Sequence, residues 1–116
     1  MRADAQAQVD RIDAALNLVK MSLDWDRALR RLDELNARVE DPTLWDNPKK
    51  AEEVMRERRR LDAAISTVKE IDADKTGTVE LIELAEMEGD ETLANEGAAS
   101  LKELADRADR DKVSAL

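Results

Sequence analysis

Asp41-Pro42-Thr43-Leu44-Trp45-Asp46-Asn47-Pro48 holds both prolines of the chain and one of its two tryptophans. It is the only strong chain break in a sequence that otherwise reads as helix. Asp41 and Asn47 can each accept a hydrogen bond from the unpaired N–H groups that open a helix. Pro42 and Pro48 then stand at first helical positions, where a missing N–H costs nothing. The segment predicts one short helical turn, carrying Leu44 and Trp45, between two long helices.

Upstream, Val9, Ile12, Leu16, Val19 and Leu23 recur at steps of three and four, predicting a helix from about Ala3 to Ser22. A second helix is expected from Asp24, whose carboxylate can cap it. Its stripe is Trp25, Leu29, Leu32, Leu35 and Val39. Downstream, a third helix begins at Pro48, with Val54, Leu61, Ile65 and Val68 in period. Arg58 interrupts that stripe, so its aliphatic stem is expected along the core with the guanidinium at the edge. Val79, Leu81, Ile82 and Leu84 resume the pattern up to Gly89. Gly89-Asp90 reads as a C-cap glycine followed by an N-cap aspartate, a turn between antiparallel helices. The last helix runs from about Glu91, with Leu93, Gly97, Leu101, Leu104 and Ala108 on its stripe. Ala94, Gly97, Ala98 and Ala105 make one side small, so that a neighbouring helix can approach closely. Asp26/Arg30, Glu34/Arg38, Glu52/Arg56, Glu103/Arg107 and Asp106/Arg110 are i,i+4 pairs with the acid first.

The predicted fold is all-α: an elongated three- to four-helix bundle with a long antiparallel helical hairpin. A continuous third helix to Glu88 would be ~60 Å long. At 116 residues the chain fits one domain, residues 1–116. Trp25 and Trp45 are the only aromatic residues, so Leu, Ile, Val, Ala and Met must make the core. Both tryptophans are expected in that core, clamping the helix junctions.

Charge is lopsided. The net charge is −9. Residues 1–60 balance at zero, with 13 Lys+Arg and 13 Asp+Glu, whereas residues 61–116 hold 6 Lys+Arg against 15 Asp+Glu. The C-terminal half should repel phosphate backbones and be drawn to basic protein surfaces. The plainer reading is that the acid keeps a helical hairpin soluble. Arg56 to Arg60 place four arginines in five residues, an RNA or acidic-partner patch on one reading. A solvated face neutralised by Glu52, Glu53 and Glu57 is the preferred one.

Catalytic chemistry is poorly supported. There is no His to activate a serine and no Cys for thiol, disulfide or zinc chemistry. The three glycines stand too far apart for a phosphate loop. No enzymatic activity, catalytic residue, cofactor or metal ligand is assigned. No apolar run is long enough to span a membrane, and the cytoplasm is the expected compartment. One motif stands out. Asp72-Ala73-Asp74-Lys75-Thr76-Gly77-Thr78-Val79-Glu80-Leu81-Ile82-Glu83 matches a single EF-hand-like calcium loop, with oxygen ligands, a central Gly and a final Glu at the required spacing. An accidental match is preferred, because no second loop accompanies it. On that reading Gly77 is a weak point where a long helix bends or breaks.

Asp-Pro-x-Leu-Trp followed by Asn-Pro has ordered company. Leu23-Asp24-Trp25-Asp26 and Arg31-Leu32-Asp33-Glu34-Leu35-Asn36 precede it. Arg56-Glu57-Arg58-Arg59-Arg60-Leu61 and Thr78-Val79-Glu80-Leu81-Ile82-Glu83-Leu84-Ala85 follow. In that order and spacing the chain resembles, over its whole length, the N-terminal helical domain of the bacterial peptide chain release factor 2 family. In that family codon reading uses a Ser-Pro-Phe tripeptide and peptide release a Gly-Gly-Gln motif, and neither occurs here. The resemblance implies a non-catalytic ribosome-interaction module of a translation termination factor that docks at the large-subunit stalk base against a basic ribosomal protein. It implies no membrane partner and no sequence-specific nucleic acid. The alternatives are a homo-oligomeric helical structural protein, such as a homodimer built on leftover apolar stripes, and a calcium-binding helical protein using Asp72 to Glu83.

Overall fold

The computed structural model describes residues 1–115. Four α-helices follow in order: α1 (Ala3–Leu23), α2 (Trp25–Val39), α3 (Pro48–Met87) and α4 (Glu91–Ala115), with a 3-10 turn at Pro42–Asp46 between α2 and α3. No strand occurs among the described residues. The all-α expectation holds, and α3 runs unbroken for 40 residues. Backbone contacts group the chain into two compact units. One is Leu23–Thr67; the other is Met1–Ser22 together with the chain from Val68 onward.

In the Leu23–Thr67 unit, α2 meets the first part of α3. Ala28 and Leu35 of α2, Leu44 of the turn, and Ala51, Val54, Leu61 and Ile65 of α3 form one buried cluster. Leu23, Trp25, Leu29, Leu32 and Val39 cover its edge. The chain break works as its residues dictate. The Asp41 carboxylate accepts from the Thr43 N–H at 3.0 Å and the Asn47 side-chain oxygen from the Lys50 N–H at 3.2 Å, while Pro42 and Pro48 open the turn and α3. The Thr43 N–H and hydroxyl, both donating to Asp41, hold its carboxyl below the usual carboxylate range. Arg58 lies half-buried and donates Nε to Asn36 Oδ1 at 2.7 Å, which anchors its guanidinium at the edge as expected.

Two expectations fail here. Asp24 does not cap α2 with its carboxylate. It adopts left-handed backbone (φ +55°) and makes no side-chain cap bond. An N-cap carboxylate reaches the first-turn N–H groups from extended backbone. Asp24 instead contributes its carbonyl, which accepts from the Ala28 N–H at 2.8 Å. Trp45 is not core: it is 52% exposed, and its indole N–H donates to the Val39 carbonyl at 3.3 Å. A 3-10 turn spreads successive side chains by about 120°. With Leu44 pointing inward, Trp45 is carried outward. Trp25 does pack against the cluster, partly buried.

The second unit holds α1, the latter part of α3, and α4. Ile12, Val68, Ile71, Ile82, Leu101, Ala105 and Ala108 are almost wholly buried. α3 and α4 form the predicted antiparallel hairpin, with Ile82 beside Gly97 and Glu70 bonded to Arg107. Gly89 closes α3 at φ +70°. The Gly89 N–H bonds the Glu86 carbonyl and the Asp90 N–H the Ala85 carbonyl, so the last carbonyls of α3 are satisfied. Asp90 then caps α4 by accepting from the Leu93 N–H at 3.0 Å. Ion pairs tie the helices across their edges: Arg11 to Asp106 and Asp109, and Lys75 to Asp13. Hydrogen bonds from Arg11 hold the Asp109 carboxyl low. Burial would push Lys75 down, but Asp13 and Asp72 outweigh it and its pKa is raised.

Of the five i,i+4 pairs read from sequence, only Glu52/Arg56 forms, at 2.8 Å. Arg107 pairs instead with Glu70 and Asp74, and Asp106 with Arg11 and Lys102. For Arg107 the acids of the facing α3 replace the one a turn away on its own helix.

Two glycines in this unit predict opposite outcomes for the same substitution. A Cβ on Gly97 would sit 2.5 Å from Ile82 Cγ1, and Ile82 is fully buried. Gly97→Ala should therefore lower stability by ~1–2 kcal/mol, overpacking outweighing the gain in helix propensity. A Cβ on Gly77 meets nothing within 4 Å. Gly77→Ala should raise stability by ~0.5–1 kcal/mol. Urea unfolding followed by circular dichroism checks both, and equal signs would contradict this packing.

Candidate functional site

The calcium loop is overturned. Asp72 to Glu83 lie wholly within α3, so the sharp turn that gathers calcium ligands does not form. The Thr76 and Thr78 hydroxyls bond back to the Asp72 and Asp74 carbonyls, four residues earlier. Lys75 brings its ammonium within 3.1 Å of Asp72. Gly77 projects its missing side chain into open space and is not needed for a turn. No group of three or more His, Cys, Asp or Glu side chains able to hold a metal ion occurs among the described residues.

What the fold does assemble is two surfaces of different character. In the unit that includes α4, Leu81, Leu84 and Met87 follow one another at steps of three on α3 and are 39%, 50% and 85% exposed. Sequence periodicity places Leu81, Ile82 and Leu84 in the apolar pattern; packing buries Ile82 as expected, together with Ala85, and leaves the two leucines outside. Ile82 faces Gly97 of α4, whose missing Cβ leaves room for it. Glu80, Glu83 and Glu88 are exposed beside the three apolar side chains, whereas Glu86 pairs with the N-terminal ammonium at 3.7 Å. This whole unit carries nine Lys+Arg against seventeen Asp+Glu, a balance of −8.

The Leu23–Thr67 unit holds ten Lys+Arg against eleven Asp+Glu, a balance of −1. A concavity of about 650 Å³ lies between α2 and α3 and is lined by Arg27, Arg30, Arg31, Glu34, Glu57 and Arg60 among others. Arg31 grips Glu57 with two parallel bonds, Nε to Oε2 and Nη2 to Oε1, each 2.7 Å, and reaches Glu34 at 3.3 Å. The grip of Arg31 holds the Glu57 carboxyl below the ordinary range, with Arg60 adding to the effect through space. The arginine run is thereby sorted. Arg56 pairs with Glu52 and Arg58 with Asn36, while Arg60 joins the arginines of α2. Sequence reading misses Arg27, Arg30 and Arg31 as a group. The available signal is their spacing of three and four, which puts them on one helix face.

No helix is long and apolar enough to cross a membrane. Known proteins share its sequence closely. The family described as the PCRF domain matches residues 28–115. A peptide chain release factor 2 from Caulobacter sp. (strain K31) is 54% identical over 93 residues, which are 80% of this chain and 25% of that protein. Those of Ruegeria sp. (strain TM1040) and Paramagnetospirillum magneticum are 43% and 40% identical over 116 residues, the whole of this chain and 31% of each relative. The chain thus spans about a quarter to a third of the length of the curated relatives it matches. The break at Asp41 to Pro48, the hairpin turn at Gly89 and both charged surfaces except the rim at Asp24 and Arg27 fall inside the matched region, and the chain belongs to the PCRF domain family.

Proposed function

We propose that the chain is a ribosome-interaction module of a translation termination factor, working in the cytoplasm and contributing contacts without chemistry of its own. The observation that carries this reading is the similarity to peptide chain release factors 2 along the entire sequence. On this reading the acidic unit turns toward a basic ribosomal protein at the large-subunit stalk base. Leu81, Leu84 and Met87 supply apolar area there, and the flanking glutamates select a basic partner. The same glutamates disfavour a second copy of this chain on that face, since like charges would meet.

Co-sedimentation with purified 50S subunits tests the reading. The chain should pellet with 50S at low salt and be released as salt rises. Leu84→Asp with Met87→Asp should weaken retention by roughly tenfold or more, because two apolar side chains are replaced by charge. Circular dichroism should be unchanged, as both side chains are exposed. No retention of the folded wild-type chain at low salt would refute the proposal. Equal retention of the variant would remove this face from it.

A further inference from the structure

We infer that the α2–α3 cleft of the Leu23–Thr67 unit binds the phosphate backbone of RNA, without base specificity. Arg27, Arg30 and Arg31 share one face of α2, and Arg60 of α3 closes the same concavity. Arg31 is committed: its guanidinium binds both Glu57 and Glu34 and balances one of those two charges. Three guanidinium groups, those of Arg27, Arg30 and Arg60, lie outside that trio, and with Asp24 included the lining holds four cations against three carboxylates, an excess of one positive charge. None of Arg27, Arg30 and Arg60 makes an ion pair with any described residue. Each exposes the planar fork that matches phosphate oxygens two at a time.

The lining is net positive, and a phosphate backbone would meet three guanidinium groups that no carboxylate bonds directly. The cleft is an open concavity between α2 and α3. Its unit is close to neutral, whereas the unit containing α4 is strongly acidic and would turn a nucleic acid away. The choice of RNA over another polyanion rests on the ribosome-interaction reading above. The site itself rests on the arginine geometry.

The experiment uses the full chain and a fluorescein-labelled RNA hairpin of arbitrary sequence, read by anisotropy across a salt series. Wild type should bind at low salt, with affinity falling linearly in log–log coordinates. Arg27→Gln/Arg30→Gln/Arg60→Gln should weaken binding by about tenfold or more at low salt and reduce the salt slope by roughly two to three, near 0.9 for each phosphate no longer neutralised. Arg110→Gln, an exposed arginine on α4, should change neither. Arg27→Lys/Arg30→Lys/Arg60→Lys keeps the charge and should retain most of the slope, which separates removal of the cationic groups from damage to the fold. Absence of RNA binding by wild type, or an unaltered slope in the Gln variant, overturns the inference. So does displacement of RNA by polyglutamate at equal charge concentration, which would make the cleft a site for acidic peptide. Because 50S retention is measured separately, a chain that pellets with 50S but ignores the hairpin fails this inference alone. A chain that binds the hairpin through the cleft but never pellets with 50S fails the ribosome reading alone.

Discussion

Every seventh residue of α3 from Val54 onward, namely Val54, Leu61, Val68, Lys75 and Ile82, is turned away from water. Four of the five are buried apolar side chains. A repeat of seven keeps one seam of a helix facing its neighbours over many turns. The rest of the structure depends on that seam staying occupied. Where it fails, at Lys75, the ammonium is only 18% exposed and is held by Asp13 of α1 and Asp72 of its own helix. A cation left without partners in that position would cost more than the neighbouring apolar side chains supply. Arg58, four residues beyond Val54, raises the same difficulty and meets it with Asn36. The polar interruptions of α3 are therefore matched, one by one, to residues on the helices beside it.

How much of this is legible in the sequence follows from how local each signal is. The caps are legible because a carboxylate, a proline or a glycine acts on backbone within three or four residues. Asp41 with Pro42, Asn47 with Pro48, and Gly89 with Asp90 all behave as their chemistry requires. The stripes are legible where a single period governs, as at Ile12, Leu16 and Val19. Asp24 is not, because its left-handed backbone answers to how two helices meet, not to its own side chain. The calcium loop misleads for a related reason. Its ligand spacing is a local pattern, but whether the segment turns or stays helical depends on the packing of Ile71 and Ile82 at either end, both fully buried.

Pairings between helices are the least visible part of the candidate site. Arg31 and Glu57 lie 26 residues apart, as do the two walls of the cleft they bridge. No i,i+4 reasoning finds such a pair. The exposure of Leu81 and Leu84 is hidden for the same reason: which face of α3 is covered depends on the facing α4, whose Gly97 receives Ile82.

This arrangement bears on how two surfaces of one chain can differ in what would hold a partner. Exposed charge acts over roughly the Debye length, about 8 Å at physiological salt, so it orients an approaching partner more than it holds one. Burying an exposed Leu or Met side chain contributes about 1.5–3 kcal/mol, largely independent of salt. A face that combines Leu81, Leu84 and Met87 with a rim of glutamates can thus be steered by charge and retained by apolar packing. The arginine cleft has no comparable exposed apolar strip, and binding there would remain tuned by salt. The first kind of surface suits a contact that salt barely weakens; the second suits one that salt releases.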